Sequence, residues 1–172
     1  MEIAPEEYTR YYIVQALFKL MAAYGYEKIS VTDIAEKAGV GRATFYRYFK
    51  RKEDIIIYYF EHHTKEFIFT QRFYPRCKND YIKVVTTVLT MFKQNKEPLL
   101  LLRKARLEYI YLDYLNKSFK TKFESEFNDT NFYQPYLYSG MLFNVSMAWL
   151  DNNCKEDINS LAETIVNAIY FE

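Results

Sequence analysis

Between Gly39 and Lys52 the sequence places five cationic side chains and no acidic one. The five are Arg42, Arg47, Lys50, Arg51 and Lys52. Phosphate groups neutralise such an excess of positive charge, and this neutralisation supplies most of the non-specific affinity of proteins for nucleic acid. A charged helix end that only faces solvent has the same composition. The elements that position these side chains therefore decide between the two interpretations.

The residues before the cationic run predict a short helix that is capped at both ends. Ser30 can accept a hydrogen bond from the first turn, and Asp33 can reach back to the amide of Ser30. Apolar residues then recur at helical spacing and share one face; they are Val31, Ile34, Ala35 and Ala38. Gly39 ends this helix, and Gly41 follows after Val40, so the backbone is free to turn before the next helix.

A second helix is predicted to begin at Arg42. Phe45, Tyr48 and Phe49 fall on one side of it and are expected to face the core. The opposite side is basic and rich in hydrogen-bonding groups, since it carries Arg42, Ala43, Tyr46, Arg47 and Lys50. Cap, turn, apolar face and cationic face agree in register, which favours a helix-turn-helix that binds DNA over a solvated helix end.

These residues resemble the TetR family, the one-component transcription regulators named for the tetracycline repressor. The resemblance starts at Thr9 and Arg10 and continues through IVQALFKLMAAYGYEKISVTDIA, which is similar to the family's first helix, a closing glycine at Gly25 and the start of the second helix. GVGRATFYRYFKRKEDI is similar to the recognition helix and the start of the fourth helix. Two positions depart from the family pattern: Gly41 stands where Ser or Thr is usual, and Phe45 where Leu is usual.

The resemblance implies which side chains contact DNA. Tyr46 and Lys52 are expected to hold the DNA backbone, and Arg42, Thr44 and Arg47 to lie near base edges. The full set expected at the DNA is Ser30, Arg42, Ala43, Thr44, Tyr46, Arg47, Tyr48, Lys50 and Lys52. The resemblance also implies a homodimer, because a dimeric helix-turn-helix protein meets the two half-sites of a palindromic operator.

The charge of the chain divides after residue 52. Residues 1–52 carry nine Lys or Arg against six Asp or Glu, a net charge of +3, and the remaining 120 residues carry fourteen against sixteen, a net charge of −2. We therefore expect a DNA-binding domain at residues 1–52 and a regulatory and dimerisation domain at residues 53–172.

No apolar run approaches a membrane span, and MEIAPEEYTR lacks an apolar targeting core, so we expect a soluble cytoplasmic protein with no membrane partner. Cys77 and Cys154 fit a reducing compartment.

The predicted fold is all-α, with an N-terminal three-helix helix-turn-helix domain joined to a helical C-terminal domain for ligand binding and dimerisation. No strand pattern is present, and Gly and Pro are scarce. Beyond the helix-turn-helix we expect helices from Lys52 to about Phe69, before a break at Pro75, from about Asp80 to Lys93, after Pro98, from about Leu107 to Phe127, from Tyr136 to about Leu150, and from about Lys155 to Tyr170.

The last two helices carry an apolar stripe that must be covered. The residues expected at a dimer interface are Leu137, Gly140, Met141, Ile158, Leu161, Ala162, Ile165, Val166 and Ile169. The resemblance implies that this pair of helices meets its mate in a second subunit as a four-helix interface. The spacing alone is equally compatible with packing inside one chain.

The chain is rich in aromatic residues, with 18 Tyr and 14 Phe. Family members commonly bind an apolar or aromatic effector between the helices of this domain, and the resemblance makes the following residues candidates to line such a pocket: Tyr81, Phe92, Tyr109, Tyr111, Tyr114, Phe143 and Trp149. Aromatic residues at helical spacing are also ordinary core, and A/T-rich codons enrich Tyr and Phe without any functional cause.

Enzymatic motifs are absent from the sequence. His62 and His63 are adjacent and point about 100° apart on a helix, and no HExxH, CxxC, phosphate-binding loop or nucleophile elbow is present. We expect no catalytic residue, no metal site and no cofactor.

The predicted function is a DNA-binding transcription regulator, in the first place a repressor relieved by a small effector. A regulator or activator switched by a protein partner, and a helical interaction or carrier module without DNA binding, remain as alternatives.

Overall fold

The computed structural model describes residues 5–70, 77–126 and 131–170, and these residues form α-helices joined by short loops. The helices are α1 (Pro5–Ala23), α2 (Val31–Ala38), α3 (Arg42–Tyr48), α4 (Lys52–Thr70), α5 (Lys78–Gln94), α6 (Lys96–Lys104), α7 (Glu108–Glu126), α8 (Gln134–Asp151) and α9 (Ile158–Ile169). A 3-10 turn, Tyr26–Lys28, lies between α1 and α2. No β-strand occurs within the described ranges, and the predicted all-α class is confirmed.

The chain forms two compact units. The first, called the head, holds the described residues up to His63 together with Leu101–Ile110. The second, called the body, holds the described residues from Thr64 to Leu100 and from Tyr111 onward. A functional boundary after residue 52 stays a prediction.

The core of the head is built from three helices that lie close together in sequence. α1 packs on α2, and α2 packs on α3. Several large side chains here are completely buried, and burying each one contributes about 1.5–3 kcal/mol of transfer free energy; they include Ile13, Leu17, Ile34 and Phe45. This packing holds α3 in place at the surface of the head.

In the body, α5 packs against both α8 and α9. α9 begins at Ile158, three residues later than the position expected near Lys155, because the carboxylate of Asp157 caps it. Asp157 Oδ1 accepts hydrogen bonds from the amides of Asn159 and Ser160 at 2.9 and 3.2 Å. The predicted break at Pro75 lies outside the described residues. Within the described ranges, no helix is long and apolar enough to cross a membrane.

Candidate DNA-binding site in the helix-turn-helix

The predicted cap at the start of α2 is confirmed. The amide of Asp33 donates to Ser30 Oγ at 3.1 Å, and the amide of Ser30 donates to Asp33 Oδ2 at 2.7 Å. The side-chain and backbone hydrogen bonds from Ser30 lower the pKa of Asp33 from its usual value. The carboxylate therefore stays ionised at the start of α2, where the helix dipole also favours negative charge.

The turn between α2 and α3 depends on one glycine in the left-handed region. Gly39 has φ +71°, and its amide donates to Glu36 O at 3.1 Å, while the amide of Val40 donates to Ala35 O at 3.0 Å. A side chain at Gly39 would be strained in this conformation. The predicted helix end and turn are thus confirmed. Gly41 precedes α3 with ordinary φ and provides no side-chain cap.

The two faces of α3 are oriented as predicted. Phe45 and Phe49 are buried, and Tyr48 is half-buried beside them. The other face lies open to solvent: Arg42, Ala43 and Arg47 are exposed, Tyr46 is 49% exposed and Thr44 is half-buried. The side chains expected near base edges are therefore accessible from one direction.

Two guanidinium groups lie near the ring of Tyr48. The guanidinium carbons of Arg10 and Arg47 are 5.1 and 4.9 Å from the centre of the Tyr48 ring. Arg47 also donates from Nη2 to Tyr48 Oη at 3.3 Å. The ring thus orients Arg47 and connects it to α1 through Arg10. The sequence did not reveal this stack, since Arg10 lies 37 residues before Arg47 and only the tertiary fold brings them to one ring.

The loop from α3 to α4 is held by Asp54, which the sequence analysis did not include. Its Oδ2 accepts hydrogen bonds from the amides of Lys50 and Arg51, both at 2.9 Å. Its Oδ1 pairs with the Arg51 guanidinium at 3.4 Å. An acidic residue in the first turn of a helix can accept from the amides before it in this way, which is one half of a capping box. With the backbone fixed in this way, the Lys50 side chain is left exposed.

Lys52 has a different environment from the one expected of a residue that holds the DNA backbone. Its Nζ donates to Ile29 O at 2.7 Å and to Tyr26 O at 3.1 Å, and it lies 4.1 Å from the centre of the Tyr26 ring. Tyr26 Oη in turn donates to Glu53 Oε1 at 2.7 Å. Burial, with smaller effects from Glu53, raises the pKa of Tyr26. Lys52 thus ties the turn before α2 to the start of α4.

The residues expected to line an effector pocket are mostly packed core of the body. Phe92 and Tyr111 are completely buried, with ring centres 5.5 Å apart, and Phe143 lies 6.3 Å from Phe92. Tyr114 stacks on Tyr111 at 6.2 Å. The other two candidates in the body have different partners. Tyr81 packs against Tyr170, and Trp149 Nε1 donates to Glu156 O at 3.1 Å.

Tyr109 does not belong with this set. It is 53% exposed and lies in the head, whereas the other six lie in the body. It was named as a pocket-lining candidate beside them because of the family resemblance and its aromatic side chain. The chain crosses from one unit to the other between Ile110 and Tyr111, and sequence spacing cannot show such a crossing.

The stripe on α9 is covered within its own chain. Ala162, Ile165 and Val166 are buried, and α9 packs on α5. The expectation that a second subunit desolvates Ile165 and Val166 is therefore not needed to explain their burial. Other members of the expected interface keep more exposure: Leu137 is 70% exposed and Ile169 37%, and Gly140, Met141, Ile158 and Leu161 are half-buried.

The described residues contain no group of three or more His, Cys, Asp or Glu side chains arranged to hold a metal ion. The head presents exposed cations and hydrogen-bonding groups on α3. Such a surface can contact phosphates and base edges in a major groove.

The sequence of the helix-turn-helix region also matches known proteins. Residues 13–59 match the sequence model of the bacterial regulatory proteins, tetR family. Over 56 residues the chain is 43% identical to the fatty acid metabolism regulator protein of Bacillus subtilis, a match that covers 33% of this chain and 29% of that protein. The chain spans less than half of the length of each curated relative that it matches.

Solved structures share the fold over nearly the whole chain. The crystal structure of Lin0861 from Listeria innocua matches with a TM-score of 0.78 and 21% identity, covering 98% of this chain and 93% of that one. The transcriptional regulator FadR from Bacillus subtilis, solved in complex with stearoyl-CoA, matches with a TM-score of 0.57 and 22% identity, covering 91% and 95%. The helix-turn-helix of the head thus matches the tetR family of bacterial regulatory proteins over residues 13–59, and the chain shares its fold with these solved structures.

Proposed function

We propose that this protein is a sequence-specific DNA-binding transcription regulator that acts as a homodimer on a palindromic operator. The observation that carries the proposal is the exposed face of α3, where Arg42, Tyr46 and Arg47 are open to solvent while Phe45 holds the helix in the core. A helix presented in this way fits the major groove. A regulator of this kind acts where the DNA is, in the cytoplasm.

The side chains divide into two roles at the DNA. Arg42, Thr44 and Arg47 read base edges, since Arg can donate two hydrogen bonds to one guanine and Thr can contact several bases. Tyr46, Lys50 and the amides at the start of α2, next to Ser30, hold phosphates. Ala43 lies on the same exposed face and is small enough to permit close approach of the backbone.

The effect on transcription is repression, relieved by a small effector with an apolar part that binds the body. The stearoyl-CoA complex of the Bacillus subtilis regulator supports an effector with an apolar chain. An effector relieves repression only through its higher affinity for a state that fits the operator poorly, so its effect equals the difference between its two affinities. In this chain the aromatic core around Phe92, Tyr111 and Phe143 would have to open to admit it.

DNA binding is tested with the region upstream of the protein's own gene, by fluorescence anisotropy at low salt. The Arg47→Ala variant is expected to lose about 1–3 kcal/mol of specific binding free energy and to relax base preference at one position. Lys19→Ala is the matched control, because Lys19 is an exposed cation on α1, outside the helix-turn-helix. Equal binding by the parent and the Arg47 variant would contradict the assignment of α3. Absence of binding by the parent at low salt would favour a helical interaction module that does not bind DNA.

A further inference from the structure

A groove in the head lies between α1 and α4, on residues that the proposed operator contacts do not use. It has a volume of about 320 Å³. Its α1 wall includes Glu7, Tyr8, Tyr11 and Tyr12, and its α4 wall includes Tyr58 and Tyr59. Five tyrosines and one carboxylate thus surround a space at the lower end of the range for small-ligand sites.

The tyrosines of the α1 wall present much of their aromatic surface to solvent. Tyr8 is 48% exposed, Tyr11 53% and Tyr12 54%. Tyr11 and Tyr12 pack edge to face, with ring centres 5.7 Å apart and planes at 70°, so each ring restricts the rotation of the other. The face of an aromatic ring is negative, so exposed rings that line one space can attract a cation.

A cation already lies on one of these rings. The guanidinium carbon of Arg10 is 5.6 Å from the centre of the Tyr58 ring. The groove also includes an acidic side chain, since Glu7 is among its described lining residues. The two lining imidazoles lie against tyrosines of their own helix: His62 is 4.4 Å from Tyr58, and His63 is 4.1 Å from Tyr59, between ring centres.

We propose that this groove is a binding site for an organic cation, a quaternary ammonium with an apolar or aromatic substituent. Aromatic rings with a carboxylate at the rim match such a group, because its charge is diffuse and it has no hydrogen to donate. The volume suits a molecule the size of benzyltrimethylammonium. The site lies within the head and is separate from any effector site in the body.

The test is a ligand titration of the full chain in the absence of DNA, monitored by two-dimensional NMR at about 150 mM salt. The probe is benzyltrimethylammonium, and its neutral isostere neopentylbenzene is the matched ligand. The cation is expected to bind at least about tenfold more tightly, which corresponds to about 1.4 kcal/mol. The shifted resonances are expected to come from α1 and α4. Equal affinity for the two probes would overturn the proposal in favour of an uncharged apolar ligand, and absence of binding would overturn it altogether.

Two pairs of variants locate the site. Glu7→Gln is expected to weaken binding of the cation several-fold and to leave the neutral probe unaffected, while Glu6→Gln changes neither, because Glu6 is exposed beside it but does not line the groove. Tyr11→Leu keeps an apolar side chain but loses the ring, so the cation is expected to bind about tenfold more weakly, whereas Tyr11→Phe keeps its affinity. Equal losses for Glu6 and Glu7 would indicate diffuse surface charge, and an unchanged Tyr11→Leu variant would place the cation elsewhere.

These measurements do not depend on the proposed function, because no operator is present. If the protein bound the cation but not DNA, the inferred cation site would stand and the proposed regulatory function would be wrong. Operator binding without cation binding would do the opposite. Tyr58 also packs against Phe49, at the end of α3, with ring centres 5.5 Å apart. A second titration, of operator in the presence of the cation, then measures whether the groove and the recognition helix are coupled.

Discussion

At the scale of single residues, Tyr48 shows how a partly buried ring can support an exposed arginine. Arg47 stacks on Tyr48 and donates to its hydroxyl, while Arg10 lies against the same ring. An Arg that is held in this way loses less side-chain entropy when it meets a base than a free one. We therefore expect Tyr48 to position Arg47 rather than to contact DNA directly.

Ser30 gives a prediction at the same scale. Ser30→Ala removes the oxygen that accepts from the amide of Asp33, so the free energy of unfolding is expected to fall by about 0.5–2 kcal/mol at pH 7. The pKa of Asp33 is lowered in the folded head, so its contribution is present above the unfolded pKa of about 4 and is lost as the pH falls through the folded value. Thermal unfolding at pH 7 and pH 3 measures both effects.

The control for this prediction keeps a capping oxygen. Ser30→Thr keeps a hydroxyl that can accept from the same amide and donate to the Asp33 carboxylate, and it is expected to retain most of the stability at pH 7. The difference between parent and Ser30→Ala is expected to shrink at pH 3. A difference of the same size at both pH values would show that the pair with Asp33 does not contribute, and that Ser30 acts in another way.

At the scale of elements, the start of α4 is joined to the turn before α2 by one ammonium group. Lys52 donates to two carbonyls in the Tyr26–Ile29 segment, and its neighbour in the cationic run, Lys50, points to solvent. Two lysines that are two residues apart thus have different environments. The sequence alone predicted the same role for both, contact with DNA.

The two lysines are expected to separate stability from DNA binding. Lys52→Ala leaves two carbonyls without their charged donor, so it is expected to lower the free energy of unfolding by about 1–2 kcal/mol, because the site is only half-buried. Lys50→Ala is expected to leave stability unchanged and to reduce the salt slope of DNA binding by about one. Chemical denaturation and anisotropy at several salt concentrations measure the two quantities. A Lys52 variant with parental stability and a reduced salt slope would instead support a phosphate contact.

The elements that could be predicted from the sequence are those whose determinants are local. Ser30, Asp33 and Gly39 lie within ten residues of one another, so cap, helix and turn were visible in the sequence and are confirmed. The position of Lys52 depends on carbonyls 23 and 26 residues earlier, and only the packing of α1 and α2 brings them near. The partner of the α9 stripe could not be predicted for the same reason, since α5 lies far away in the sequence.

At the scale of the whole molecule, the covered stripe changes where a dimer interface is expected. Ile165 and Val166 are buried in their own chain, but Leu137, Met141 and Ile169 line one groove of about 500 Å³ on the body surface. Tyr133, at the start of α8, is 67% exposed. Apolar side chains from both terminal helices thus remain open on one face. We propose that the mate in a second subunit covers this face.

Charging Leu137 is expected to separate the subunits without unfolding them. Leu137 is 70% exposed in the single chain, so Leu137→Glu costs little in the monomer, but in a dimer it buries an unpaired carboxylate at a cost of several kcal/mol. Sedimentation is expected to show monomers, and operator affinity is expected to fall at least about tenfold although the head is unchanged.

Two further variants make this result specific. Asn167→Glu adds the same charge at an exposed position of α9, about 200° around the helix from Ile169, and is expected to leave the dimer intact. Ile165→Ala creates a cavity between α9 and α5 and is expected to lower the free energy of unfolding by about 2–5 kcal/mol, whether or not the chains associate. If Leu137→Glu stayed dimeric and bound the operator like the parent, the interface would lie on another face, and the groove beside Ile169 would need a different explanation.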